Sequence, residues 1–470
     1  MTKIKTQKFM FFDDLPYEYA RGFSRIQGRP VKYIGNPFLS PEKPHEFART
    51  SMYGTVIFNQ IQGKYMMWYP TFGGGDKPIA YLCHAESSDG LKWVKPDAGI
   101  VPGTNIVLDE THDVRGQSII LDMNEENPER RYKFLVRPGR IPRVCSYVSP
   151  DGIHWKILSD SAIAADSDSH IGLMRYPETG MYMATMRKVK GDRRVWLSTS
   201  NDFETWTDPV LVMEPGPGQS MQTQIYGMQI SYYGAYIIGE VSYYNTFEDD
   251  LDGWGKMDGS MDIGLAYSRG GYCWHEAFPY ERFIETGGNG QWDSGMIMPS
   301  STPVYLEDEI RFYYSGMNFL HKPPYSSDVS QRIGMAALRP DGFVYMEAGK
   351  KPAELLTRRF AIEKPGFMMN ADASKGEIRI GICDGDGHQI KGFEIENSVP
   401  VTTDGLRIQL EWKNEPKMDA LINTSLRFKV KARDARLYSI TMINGEEAPD
   451  YRKFREIDYA DPLFRGGIYA

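Results

Sequence analysis

One short phrase recurs along the chain and constrains it more than any other feature. Ser87-Ser-Asp-Gly-Leu-Lys-Trp93, Ser149-Pro-Asp-Gly-Ile-His-Trp155, Ser200-Asn-Asp-Phe-Glu-Thr-Trp206 and Ser268-Arg-Gly-Gly-Tyr-Cys-Trp274 are near copies. Leu338-Arg-Pro-Asp-Gly-Phe343 is a weaker fifth. Ser and Asp side chains can bond nearby backbone N–H groups and hold a tight turn, and Gly supplies positive φ. The Trp can then fold back as an apolar plug. Three strand-like runs precede each phrase, with inner strands expected at 55–58, 118–121, 171–174, 226–230 and 302–305. Repetition at this spacing predicts an all-β chain: a five-bladed β-propeller whose closed ring hides its sheet edges.

After about residue 355 the repeat stops. Glycine-bounded short strands follow, which predicts two domains: a catalytic propeller over 1–355 and a β-sandwich-like domain with a C-terminal tail over 356–470. A length of 470 residues agrees with two domains. The net charge of −8 argues against a nucleic-acid partner, and no run of about 18 apolar residues predicts a membrane span. The N-terminus lacks an apolar signal-peptide core, so the chain as written reads as cytoplasmic; removal of a leader would make it secreted or periplasmic. The four cysteines, Cys83, Cys145, Cys273 and Cys383, form no CxxC pair and read as buried thiols.

In such a ring the residues just ahead of the inner strands converge at one axial mouth. Acids recur there: Glu46, Asp113, Asp166, Asp168 and Asp293, with Glu240 in the middle strand of the fourth unit. Carboxylates sharing a pocket drive their pKa values apart, so one can hold a proton while another stays ionised. Glycosidic bond cleavage uses that pairing. Arg137 and Arg187 end matching strands and could bind sugar hydroxyls or hold a carboxylate ionised. His112, beside Asp113, and His321 could join the site, and Trp292, beside Asp293, offers a flat face for a sugar ring. The acidic stretch 248–262 matches a calcium loop only loosely; it reads as a loop over the mouth with Trp254 as its lid residue. No metal site and no cofactor requirement are expected, although a structural calcium ion is compatible with the sequence.

The phrase and strand layout over about residues 30–345 resemble the five-bladed propeller glycoside hydrolases, the superfamily of families 32, 43, 62, 68, 117 and 130. The appended β-domain is similar to that of family 32. The resemblance implies a base or nucleophile at Glu46, a transition-state stabiliser at Asp113 and a general acid at Asp168. The signatures Trp-x-Asn-Asp-Pro, Arg-Asp-Pro and Glu-Cys are absent, so the chain reads as a divergent member. The expected activity is hydrolysis of a terminal sugar, such as arabinofuranose, from an oligo- or polysaccharide, with Asp168 or Glu240 protonating the leaving oxygen. Two alternatives are a glycoside phosphorylase similar to family 130, with Arg137, Arg187 and His321 holding phosphate, and a non-catalytic carbohydrate-binding propeller.

Overall fold

The computed structural model describes residues 7–73, 79–109, 111–138, 143–164, 167, 170–187, 193–220, 222–247, 258–321 and 329–442. Among them the chain is all-β, with three short 3-10 turns as its helical content. No helix among the described residues is long and apolar enough to cross a membrane. The contacts divide it into two compact units, one built around residues 30–337 and one that joins the N-terminal segment to the C-terminal strands.

The first unit contains five successive antiparallel groups. The first runs Thr55–Asn59, Lys64–Gly73, Ile79–Ser87 and Ile106–Leu108. The second runs Val114–Leu121, Tyr132–Pro138, Val144–Ser149 and Lys156–Ile163, and the third Gly172–Arg175, Tyr182–Met186, Val195–Ser200 and Val210–Met213. The fourth begins with Thr223–Tyr233, Tyr236–Thr246 and Gly259–Ser268. It shares a nine-stranded sheet with the fifth, made of Met296–Pro299, Val304–Tyr305, Ile310–Met317 and Gln331–Leu338. The short strand Val31–Lys32, from the start of the unit, pairs with the last of these.

Hydrogen bonds link each group to the next. Ile119 N–H donates to Thr55 Oγ1 (2.9 Å), Ile171 N–H to Gly116 O (3.2 Å), and Thr185 Oγ1 to Met228 O (2.6 Å). Ser231 Oγ meets Tyr305 OH at 2.7 Å, and Ser301 N–H donates to Gly54 O at 2.8 Å, returning from fifth group to first.

The repeated phrase forms the turn its residues predict. Ser87 Oγ accepts from Gly90 N–H, while Asp89 Oδ1 accepts from Leu91 and Lys92 N–H. The same bonds recur at Ser149/Asp151 and Ser200/Asp202. Phe203 holds φ +67° where the other copies place Gly, so the conformation outlives the residue. Each turn docks on the preceding group. Tyr313 OH donates to Gly90 O, Trp68 Nε1 to Gly152 O and Tyr176 OH to Arg269 O, while Lys133 Nζ lies over the Phe203 ring. The fifth copy departs from this role. Asp341 is buried in the other unit, bonded by Lys8, Asn370 and Ser439.

That second unit has two antiparallel sheets. One orders Asp404–Gln409, Phe367–Asp372, Ala435–Met442, Val344–Ala348 and Phe23–Gln27, with Gln7–Phe9 also on Ala435–Met442. The other orders Tyr17–Arg21, Ala353–Thr357, Leu426–Arg433 and Glu377–Asp384. A single apolar core, including Phe9, Leu355, Phe367, Ile380, Phe428 and Leu437, serves both. The sequence expects a boundary near 355, whereas strands 344–348 and 353–357 already pair with 17–27 in this unit. Cys83, Cys145 and Cys383 are buried as expected; Cys273 is exposed.

Candidate functional site

In the first unit a cavity of about 270 Å³ is lined from four of the five groups and the segment leading into the first. Its lining combines the guanidinium groups of Arg49, Arg115 and Arg137 with Tyr226, Met296, Met298, Met317 and Phe319, and Tyr53, Phe72, His321 and Gln331 complete it. The Arg49 guanidinium lies over the Phe319 ring, 5.8 Å from its centroid. Two local irregularities aim residues into it. On strand Val114–Leu121 the register shifts opposite Leu135 and Arg137, around Gly116, whose φ is +68°. On strand Thr223–Tyr233 the shift falls between Ile225 and Gly227, making Tyr226 the extra residue. Bulges of this kind bend a strand and re-aim side chains.

Of the residues expected to bind substrate, Arg137 and His321 line this cavity. His321 sits between two phenols, Tyr226 OH at Nε2 and Tyr244 OH at Nδ1, each 3.2 Å away. Arg187 stands behind the wall instead. It is buried, donates to Tyr226 O at 3.1 Å and stacks on the Tyr226 ring. Asp113 is buried beside Arg115; its Oδ1 accepts from Arg115 Nε at 2.9 Å, and its Oδ2 makes no hydrogen bond among the described residues. It adopts φ +43°, an uncommon conformation for a residue with a Cβ.

Glu46 lies elsewhere, which corrects its expected role. Its side chain is fully buried and both oxygens are occupied. Oε1 accepts from Tyr69 OH (2.6 Å) and meets Lys95 Nζ (2.9 Å); Oε2 accepts from the backbone N–H of Glu42 (2.6 Å) and Lys43 (2.8 Å). Burial pushes its carboxyl up, but the bonds from Tyr69, the Glu42 backbone and Lys95 outweigh it and hold the group below the usual range. A carboxylate so saturated has no lone pair directed at a substrate.

Asp293 is likewise committed, to Lys32 Nζ at 2.6 Å and Tyr314 OH at 3.1 Å. Trp292 stacks on Tyr314 and packs over Gly316 and Gly334, so it fills its own group rather than lining the cavity. His112 is half-exposed, with Nδ1 bonded to Asp109. Asp166, Asp168 and Trp254 lie outside the described residues.

Glu240 is buried opposite Gln229 on the neighbouring strand, with Oε2 unbonded. Burial pushes its carboxyl well above the usual carboxylate range. Gln229 donates to His170 O, and the His170 ring, through Nε2, meets Gln117 O at 3.0 Å. Tyr53, on the cavity, lies tilted against the His170 ring with centroids 5.0 Å apart.

The sequence reading missed Arg49, Arg115, Tyr53 and the three methionines. One signal was available: Arg115-Gly116 starts an inner strand, where a glycine within a strand pattern marks a bulge.

No family model and no curated protein matches this chain. Solved structures are similar to it. An N-acetylgalactosamine deacetylase from F. plautii, in complex with blood group B trisaccharide, is 16% identical, with a TM-score of 0.48 over 68% of this chain and 97% of that one. A structure from the GH130 family of mannoside phosphorylases, which contains glycoside hydrolases that target beta-1,2 mannosidic linkages in Candida mannan, is 16% identical, with a TM-score of 0.47 over 67% and 95%. A glycosyl hydrolase from Bacteroides ovatus is 15% identical, with a TM-score of 0.48 over 67% and 94%.

Proposed function

We propose that this chain is a carbohydrate-active enzyme that works on a glycosidic bond at the cavity, with the five strand groups acting as a five-bladed propeller and the second unit as a β-sandwich. The mixed apolar and polar lining carries this reading. A sugar residue has an apolar C–H face and a polar rim. Tyr226, Phe319 and the methionines suit the first, and the arginines, His321 and Gln331 suit the second.

Of the expected acids, Asp113 is the described one beside the cavity with an uncommitted oxygen, so it takes the role of base, nucleophile or charge stabiliser. Asp168 keeps the role of general acid from its place in the repeat. The substrate is a non-reducing-end sugar, a furanoside such as arabinofuranose being the specific expectation.

Asp113→Asn and Asp168→Asn should each lower kcat/KM on a cleaved aryl glycoside by about a hundredfold or more, with unfolding midpoints little changed. Full activity in both variants would overturn the assignment. Sugar binding without turnover by the wild type would make the chain a binding module. The arginines favour one second reading, a glycoside phosphorylase, for which turnover would require inorganic phosphate.

A further inference from the structure

The geometry points to a modification site in the cavity lining: Met296, Met298 and Met317 are oxidised to sulfoxides by hydrogen peroxide, and that change closes the cavity to its sugar. The modification stands by itself, and its effect on the sugar rests on the proposed function. Met296 is directly opposite Met317 on the adjacent antiparallel strand and pairs with Met261 on its other, parallel neighbour. Opposed residues share a face of the sheet, with Cβ atoms about 5 Å apart. Met298 lies two residues along the same strand as Met296, so it points to the same side. These four methionines and Tyr244 make one buried cluster, against which Tyr53, Tyr226 and Phe319 pack. Among the described residues this cluster holds no Leu, Ile or Val, whereas the other clusters of the first unit are built on them. Leucine and methionine exchange in cores at small cost, so packing alone does not call for four thioethers in one place.

Three of the four line the cavity, and Met261 does not. Met296, Met298 and Met317 are 2%, 6% and 3% exposed and Met261 is 0% exposed, so the cavity is the way in. At about 270 Å³ it admits a molecule little larger than water, which occupies about 30 Å³ in the liquid. A thioether lone pair attacks one oxygen of the peroxide and the O–O bond breaks. The other oxygen leaves as hydroxide and takes the proton of the first, giving water and an S=O group. Sulfur loses two electrons and the peroxide gains them, so no further reagent is needed. The sulfoxide oxygen is a strong acceptor set among thioethers and aromatic rings, where burying it unpaired is costly. It also stands where the apolar C–H face of the sugar is proposed to rest.

The test is a brief hydrogen peroxide pulse on the full-length protein, with peptide mapping by mass spectrometry and turnover of an aryl glycoside measured together. Met296, Met298 and Met317 should oxidise about tenfold or more faster than Met67, Met183 and Met261, which are fully buried and do not line the cavity. Turnover should fall about tenfold in step with the three lining positions, and methionine sulfoxide reductase should restore it. A variant carrying Met296→Leu, Met298→Leu and Met317→Leu should keep most of its own untreated turnover through the same pulse. Met298→Leu alone, at the most exposed of the three, serves if the triple variant fails to fold, and it should slow the loss. Lining methionines that oxidise no faster than Met261 would sink the proposal. So would full oxidation with turnover intact, or a loss that the leucine variants share completely. Selective oxidation in a protein that turns over no glycoside would leave the modification site standing and refute the enzyme. Glycoside turnover with no selective oxidation would do the reverse.

Discussion

Glu46 occupies the place in the repeat where a reactive acid is expected, yet its surroundings make it a strut. Tyr69, Lys95 and two backbone N–H groups converge on one buried carboxylate. Removing one member of such a buried pair strands the other, at a cost of about 3 kcal/mol. Glu46→Gln should therefore lower the urea midpoint markedly, while any folded fraction keeps its turnover per molecule. A stable variant with activity destroyed would return Glu46 to the chemistry. His170 tests a second buried group. Burial pushes its imidazole down to about 3, against the weaker opposing effect of its bond to the Gln117 carbonyl. Its folded pKa lies below its unfolded value near 6.5, so its contribution to stability is complete above that value and is lost as pH falls from about 6.5 towards 3. The loss approaches about 1.4 kcal/mol per pH unit. Urea unfolding at pH 7 and pH 5 should show a larger fall for wild type than for His170→Gln. Equal falls would mean the imidazole is not held neutral. The residue scale is also where the sequence was least readable. Whether an acid is saturated or uncommitted depends on Tyr69, Lys95 and Arg115, partners that no local pattern announces.

The turn phrase, by contrast, was legible because every bond that shapes it lies within a few residues. Ser87, Asp89 and Gly90 specify their own geometry, and the phrase reads the same wherever it is placed. Its partner was not legible. That Gly152 presents its carbonyl to Trp68 of the preceding group follows only from the assembled structure. The fifth copy shows the limit of the pattern, since Asp341 carries the phrase into a different unit. A matched pair of substitutions separates turn from docking. Gly152 and Gly103 both sit at φ +77°. A Cβ at Gly152 would come within 2.5 Å of Trp68 Cζ2, whereas one at Gly103 meets nothing within 4 Å. Gly103→Ala should cost about 1 kcal/mol, the strain of a left-handed alanine alone. Gly152→Ala should cost about 2 to 3 kcal/mol in the same unfolding assay, because the docked indole must also move. Equal costs would show that the turn touches its neighbour without bearing on it.

Across the first unit, the five groups are joined in sequence and the last also meets the first. Val31–Lys32 supplies a strand to the fifth group from the start of the chain, a contact of high sequence separation that no periodicity foretells. The same is true of residues 7–27, whose strands complete the second unit's sheets from the far end of the sequence. One of the contacts between the fifth group and the first passes through a single hydroxyl. Thr55 Oγ1 meets Ser301 Oγ of the fifth group at 2.6 Å and accepts from Ile119 N–H of the second at 2.9 Å. All three residues are buried. Thr55→Val keeps the shape and removes both bonds, leaving the Ile119 N–H and Ser301 hydroxyl without their partner. Each buried group so stranded costs about 1 to 3 kcal/mol. Thr55→Ser restores the hydroxyl and loses only a methyl group, so it should recover most of the stability. If closure couples the groups, Thr55→Val should also lower the steepness of unfolding monitored by tryptophan fluorescence, because the transition divides into less cooperative parts. A midpoint shift with unchanged steepness would assign Thr55 a local bond and leave the closure to the strand at Val31–Lys32.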